Sequence, residues 1–349
     1  MTSRERVLKA LNHEIPDRVP YMELYIDEDF GLRALNLPSR AVPSPMSGSA
    51  PVTVAYFGGQ GYDPLVLADV LKLDGLCLSI QPRIYFQTRV SDGQNFVTGG
   101  LIKRSQDLKI IDLPDPDDPG IYETARQLLA QLRPSNLALG CFINLGSDPV
   151  ALSMGWDALS YALYDDPQLV EELFDIYTSW IARSVRHICQ LDFDFIWAGD
   201  DIAFKSGPMV SPRVFRSLFI PYWQRVVNEI KLPWIFHTDG NFLPVLDDLL
   251  ALGMNALHPI EPEAVDIVAL KRRIGDRVTL VGNIEINTLS SGTPQDVEKL
   301  TRETILQVAP GGGFILSSSN SLTRSCRVEN VLAMVRTCHQ YGQYPIEIQ

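Results

Sequence analysis

Two short segments hold the residues best suited to chemistry: His237-Thr-Asp239-Gly-Asn241 and His258-Pro-Ile-Glu261-Pro262, each opening on a histidine that closes an apolar run. A His-x-Asp pair at a strand end can turn both side chains into one pocket. They would serve there as metal ligands, or as a base and the group that orients it. Glu261 is bracketed by two prolines, which stiffen the loop and would hold its carboxylate in place. Gly199-Asp200-Asp201 sets two carboxylates side by side; successive residues point in different directions, so one can face a pocket while the other caps a helix. Further polar groups just past apolar runs are Glu23 and Tyr25, Asn144, Gly282-Asn283-Ile-Glu285 and Ser317-Ser-Ser-Asn320-Ser321. Arg83, Lys205, Arg324 and Arg327 fall in loops near the same ends. They are the local cations by which an acidic protein would hold an anionic substrate.

The elements that must position these groups are legible as an alternation. Strand-length apolar runs at Phe193–Ala198, Pro233–His237, Met254–His258, Val278–Val281 and Gly313–Ser317 are separated by helical periods at Ser211–Ile230, Asn241–Leu252, Ala264–Ile274, Thr293–Val308 and Arg327–Tyr341. Ser211-Pro212 and Thr293-Pro294 are helix starts, a cap donor before a proline. Val19–Leu24, Gly75–Ile80 and Leu137–Ile143 supply three more strands. Eight strand–helix units predict a single α/β domain over 1–349, a closed (β/α)8 TIM barrel with an N-terminal extension, whose functional groups collect at the carboxyl ends of the strands. Residues 85–112 read as a β-hairpin excursion after the second strand, with Tyr85–Val90, Phe96–Leu101 and Lys109–Asp112 extended about a turn at Ser91–Asn95. Residues 38–51, rich in Pro, Ser and Gly, read as a long loop over the barrel mouth.

Composition narrows the function. The 349 residues are 46% hydrophobic, enough for a sizeable core, and 30 Lys and Arg against 42 Asp and Glu give a net charge of −12. That charge repels nucleic acid and anionic membranes, so neither is an expected partner. Five scattered cysteines suit reduced thiols, and no stretch is long and apolar enough to cross a bilayer or to act as a signal, so the expected location is the cytoplasm.

At the level of whole motifs the chain resembles the uroporphyrinogen decarboxylase superfamily, which includes the decarboxylase of haem synthesis and corrinoid-linked methyltransferases. The carriers are Glu5–His13 with Pro16-Asp-Arg-Val-Pro20, His237–Asn241, His258–Pro262, Gly275–Asn283, Gly292-Thr-Pro294 and Gly311–Ser318 with Asn320. Where the decarboxylase proper has an arginine-rich Met-Arg-Gln-Ala-Gly-Arg type motif for its polycarboxylate substrate, this chain has the acidic Tyr21–Asp29. The resemblance therefore implies the methyltransferase branch. Thiol-directed members of that branch hold zinc through a His-x-Cys pair and a later Cys; here Asp239 and the serines around Ser318 stand in those places. Oxygen donors leave a harder metal, suited to an ether or hydroxyl substrate. The expectation is an enzyme moving a methyl group from a small oxygen-linked donor to the cobalamin of a partner corrinoid protein. In it His237, Asp239 and Glu261 would bind zinc or another divalent metal, Asp200 or Glu23 would act as proton donor, and Tyr25, Asn144, Arg83 and Asn320 would bind substrate. A homodimer is also implied. The alternatives are a metal-free lyase of the uroporphyrinogen decarboxylase type and a barrel kept only for binding.

Overall fold

The computed structural model describes residues 1–38, 52–91 and 94–347. In chain order the strands are β1 (Val52–Tyr56), β2 (Gly75–Pro82), β3 (Phe86–Ser91), β4 (Gln94–Gly100), β5 (Ala138–Ile143), β6 (Phe195–Gly199), β7 (Ala203–Phe204), β8 (Gly207–Pro208), β9 (Trp234–His237), β10 (Ala256–His258), β11 (Thr279–Ile284) and β12 (Phe314–Ser318). The central sheet has eight strands in the order β1-β2-β5-β6-β9-β10-β11-β12. All its neighbours are parallel except β1 and β2. Helices lie between successive parallel strands, as a parallel ladder requires, and the arrangement is consistent with a TIM barrel.

Alternation along the strands sorts the core into two layers. One set, with Cys77, Ala138, Phe195, Trp197, Ile235, Ala256, Val281 and Ile315, packs around Val7, Ala10 and Leu11 of the helix Ser3–Leu11, so the N-terminal extension fills the interior. The other set, with Phe236, Leu257, Leu280 and Leu316, packs outward against the surrounding helices. The opening motif holds this plug. Arg6 Nη1 donates to Asp74 Oδ1 at 2.7 Å and Arg18 Nη1 to Asp74 Oδ2 at 2.8 Å, with Asp74 fully buried. Those signature residues are architectural.

The membership of the sheet differs from the sequence reading. Val19–Leu24 is not a regular strand. Pro20 lacks a donor, and the Tyr21 amide is taken by the Asp74 carboxylate at 2.9 Å rather than by a strand carbonyl. The segment nevertheless runs beside β12 through a parallel Tyr21–Leu316 bridge and reaches toward β2, the Asp74 amide donating to the Tyr21 carbonyl at 2.8 Å. The strand missed from sequence is β1, whose Val-Thr-Val-Ala-Tyr is rich in β-branched residues; it follows the 38–51 stretch, of which only Pro38 lies within the described residues. In the 85–112 excursion β3 and β4 pair antiparallel. Residues 92 and 93 of the expected turn lie outside the described residues, and Lys109 lies in the 3-10 helix Ser105–Ile110 instead of a strand. Ser211–Ile230 is helical as Pro212–Val214, Phe215–Phe219 and Ile220–Val227, with a π turn directly ahead of Pro221, whose missing N–H breaks the regular ladder. No helix among the described residues is long and apolar enough to cross a membrane.

Candidate functional site

Register brings the two histidines together. His237 and His258 are paired residues at the ends of the parallel neighbours β9 and β10, two positions beyond the inward-facing Ile235 and Ala256. Both rings therefore face the interior, with His237 Nδ1 2.7 Å from His258 Nδ1. His258 is fully buried, its ring perpendicular to Trp197 at 4.9 Å, and burial together with the neighbouring His237 pushes its basicity well below the ordinary histidine range.

On its other side His237 Nε2 faces two carboxylates, Asp201 Oδ1 at 3.7 Å and Asp239 Oδ1 at 3.9 Å. Among the described residues these three form the group able to hold one metal ion, their ligand atoms lying within 4.8 Å of one another. Two observations fit such a use. Asp239 Oδ1 is buried and has no hydrogen-bond partner, and one nitrogen with two carboxylates is a donor set for a borderline or hard divalent cation. Asp239 Oδ2 is held by Asn320 Nδ2 at 2.7 Å, and the Asp239 carboxyl is raised to about 6, chiefly by burial, with the nearby Asp201 and Glu261 charges acting in the same direction. Glu261 is not in the ligand group. Its Oε2 accepts the Gly240 amide at 2.7 Å, so the proline-bracketed carboxylate braces the His237–Asn241 loop, and Asp201 rather than Glu261 completes the candidate group.

The Asp200-Asp201 pair divides its work in the opposite sense to the one expected. Asp200 is fully buried and accepts from the amides of Leu145 at 3.1 Å, Ser147 at 2.9 Å and Asp148 at 3.0 Å, at the start of the helix Ser147–Met154. Gly146 makes this turn possible. Its φ is +133°, and a Cβ there would sit 2.5 Å from Thr178 Cγ2. Burial raises Asp200 to about 6 against the pull of those amides. With both oxygens engaged, Asp200 positions the loop that carries Asp148. Asn144 is part of the same brace, donating to the Gly199 carbonyl at 2.7 Å and accepting from Gln81 at 2.9 Å. Neither lines the cavity described next.

That cavity, about 290 Å³, opens beside His237 and is walled by Tyr25, Tyr56, Phe57 and Phe142, with Asp148 and Asp201 as its carboxylates. Phe57 stacks on Phe142 at 4.2 Å and 7°, and Tyr25 meets Phe57 edge-on at 5.5 Å. Arg83 also lines it. Its guanidinium lies over the Tyr85 ring at 5.0 Å, and its buried Nε has no partner. The other suggested cations are engaged or remote: Lys205 pairs with Glu263, Arg324 with Asp27 at 4.0 Å, and Arg327 stands at the N-cap position of the helix Val328–Tyr341, outside the cavity lining. Asp148, missed from sequence, is pushed well above the usual carboxylate range by burial and by Asp200 and Asp201. Its one signal was its place four residues past the polar end of β5. Phe57 and Phe142 carried none, since a cavity wall and a core face share the same residue types.

Glu23 reaches His258 through Ser317. It is buried, accepting from Ser318 Oγ at 2.6 Å, the Ser318 amide at 3.0 Å and Ser317 Oγ at 3.2 Å, and burial raises it to about 7. The rest of the acidic Tyr21–Asp29 stretch is largely structural. Asp27 caps the helix Glu28–Ala34 and Asp29 pairs with Arg33 at 3.1 Å. All five cysteines are free thiols, and Cys326 is buried away from the cavity.

The family model described as uroporphyrinogen decarboxylase (URO-D) matches residues 96–341. The chain is 24% identical over 176 residues to a methylated-thiol--coenzyme M methyltransferase of Methanosarcina mazei, a match covering 50% of this chain and 46% of that protein. It is 24% identical over 229 residues to a methylcobamide:CoM methyltransferase of Methanosarcina barkeri, covering 64% of each. The matches thus span about half to two thirds of these curated relatives. A methyltransferase structure from Methanosarcina mazei superposes with a TM-score of 0.72 at 18% identity, covering 98% of this chain and 99% of that one, a likeness of fold.

Proposed function

The chain belongs to the uroporphyrinogen decarboxylase family, and from that premise we propose that it is a methyltransferase, moving a methyl group from a small oxygen-linked donor to the cobalt of a partner corrinoid protein. The observation that carries this reading is the His237–Asp201–Asp239 group beside an aromatic-walled cavity of about 290 Å³. Stacked Phe57 and Phe142 favour a flat donor such as a methoxylated aromatic over a bare alcohol. Relatives named for methylated-thiol and methylcobamide substrates support methyl transfer, and a candidate donor set of one nitrogen and two carboxylates, without a thiolate, supports a donor bonded through oxygen.

His237, Asp201 and Asp239 would hold a divalent ion, zinc among the candidates. When bound, it would supply Lewis-acid polarisation of the donor oxygen. Asp148, whose carboxyl is pushed well above the usual carboxylate range by burial and by the Asp200 and Asp201 charges, is the group in the cavity wall suited to protonate the departing oxygen. The O–CH3 bond would break with the partner corrinoid as methyl acceptor, and the Asp148 proton would go to the departing oxygen, releasing an alcohol or phenol. Arg83 would anchor an anionic substituent of the donor. The surrounding sheet would close into a barrel whose mouth admits the corrinoid.

The decarboxylase alternative is less well supported. Arg83 is the one cation among the described cavity-lining residues, too few for a substrate with many carboxylates. Incubation with methoxylated aromatics and cob(I)alamin should yield methylcobalamin; turnover of uroporphyrinogen III without methyl transfer from any donor would reverse the assignment. Elemental analysis should find about one zinc per chain, lost in His237→Ala and kept in Glu261→Gln.

A further inference from the structure

Two imidazole nitrogens 2.7 Å apart cannot both be bare or both carry hydrogen, so one proton lies between His237 Nδ1 and His258 Nδ1. Its owner is set at the far side of His258. There Nε2 is 3.5 Å from Ser317 Oγ, and Ser317 donates its hydroxyl to Glu23 Oε2 at 3.2 Å. With its proton committed to Glu23, the Ser317 oxygen accepts from His258. His258 Nε2 then bears the hydrogen, its Nδ1 is bare, and the shared proton belongs to His237.

We propose that Glu23, acting through Ser317 and His258, is a positioning residue that fixes His237 as its Nδ1–H tautomer and so presents a bare Nε2 to Asp201 and Asp239. The ends of this relay are held independently. Glu23 is anchored by the Ser318 hydroxyl and amide, and the His258 ring stands perpendicular to Trp197. A metal ion needs a lone pair from its histidine ligand, and the partner of the other ring nitrogen decides whether one is available. The consequence for metal affinity rests on the metal reading above; the tautomer does not.

The test uses the full-length protein, 15N-labelled at histidine and freed of metal by a chelator, at about pH 8.5, above the ordinary histidine range. Long-range 1H–15N correlation spectra report which ring nitrogen carries hydrogen, with His237 and His258 assigned from single substitutions. The expected result is Nδ1–H for His237 and Nε2–H for His258. Ser317→Ala removes the relay at little cost in volume. It should let both rings populate both tautomers and weaken zinc binding, read by competition with a chromophoric chelator, by roughly 10- to 100-fold. Ser318→Ala, which removes a Glu23 bond outside the relay, should leave the tautomers as in the parent. An Nε2–H His237 in the parent protein, or tautomers unmoved by Ser317→Ala, would overturn the proposal. Failure of the parent to bind zinc would refute the metal reading alone.

Discussion

Replacing Glu23 by Gln should move the stability difference in favour of the variant progressively as pH rises. Glu23 is fully buried and its carboxyl moves from an ordinary 4.5 to about 7. Burial is the cause, only partly offset by the bonds from Ser318 and Ser317. Because the folded-state value lies above the unfolded one, the favourable contribution of the protonated form is complete below about pH 4.5. It is lost progressively as pH rises through about 7. At 1.36 kcal/mol per pKa unit, a rise from 4.5 to about 7 makes the ionised side chain cost the fold about 3 kcal/mol at alkaline pH. Gln has no charge to desolvate and keeps an acceptor oxygen for the serine hydroxyls, while its NH2 would face the Ser318 amide at a cost that does not vary with pH. Paired urea unfolding of Glu23→Gln and the parent, from about pH 4 to about pH 9, should therefore show a stability difference that increases by about 3 kcal/mol between the extremes, with most of the change between about pH 5 and 7.5. A difference independent of pH would refute the reasoning. So would one that shrinks as pH rises, since that would mean the native contacts bind the carboxylate more strongly than burial disfavours it.

Other expected outcomes follow from the division of labour among the carboxylates and from Arg83 in the cavity wall. Asp200→Ala strips the acceptor from three amides at the start of Ser147–Met154 and should lower stability by at least about 3 kcal/mol in chemical denaturation; Asp201→Ala, which releases the single part-buried Asp239 amide, should cost only about 1 kcal/mol yet lose zinc. Equal destabilisation by the two would contradict the assignment of Asp200 as a brace. Arg83→Ala should weaken binding of 4-methoxybenzoate roughly tenfold or more, as measured by calorimetry, with little effect on neutral methoxybenzene, because only the anion loses a charge-assisted hydrogen bond. An equal loss for both ligands would remove Arg83 as an anion anchor.

Much of the architecture was present in the order of residues, because strand and helix periods, proline-marked caps and polar strand ends are local signals. The β9 to β12 runs, the helix starts at Ser211 and Thr293, and the placement of His237 and Asp239 at and just past a strand end all belong to that class. Which of two adjacent carboxylates faces a cavity does not, since Asp200 and Asp201 differ only in the loop that folds over them. Gly146, some fifty residues earlier, turns the amides that claim Asp200 and leave Asp201 toward His237. The irregular course of Val19–Leu24 likewise depends on Asp74, whose side chain replaces a strand carbonyl. Glu23, Ser317, His258 and His237 span the chain from its beginning to near its end. Sequence alone named all four among the polar residues expected at strand ends; His237, His258 and Ser317 do lie there, whereas Glu23 sits in the irregular Val19–Leu24 segment. Only the register of parallel neighbours, which sets inward-facing side chains a few ångströms apart, decided that they form one connected line and that its last member points at two carboxylates.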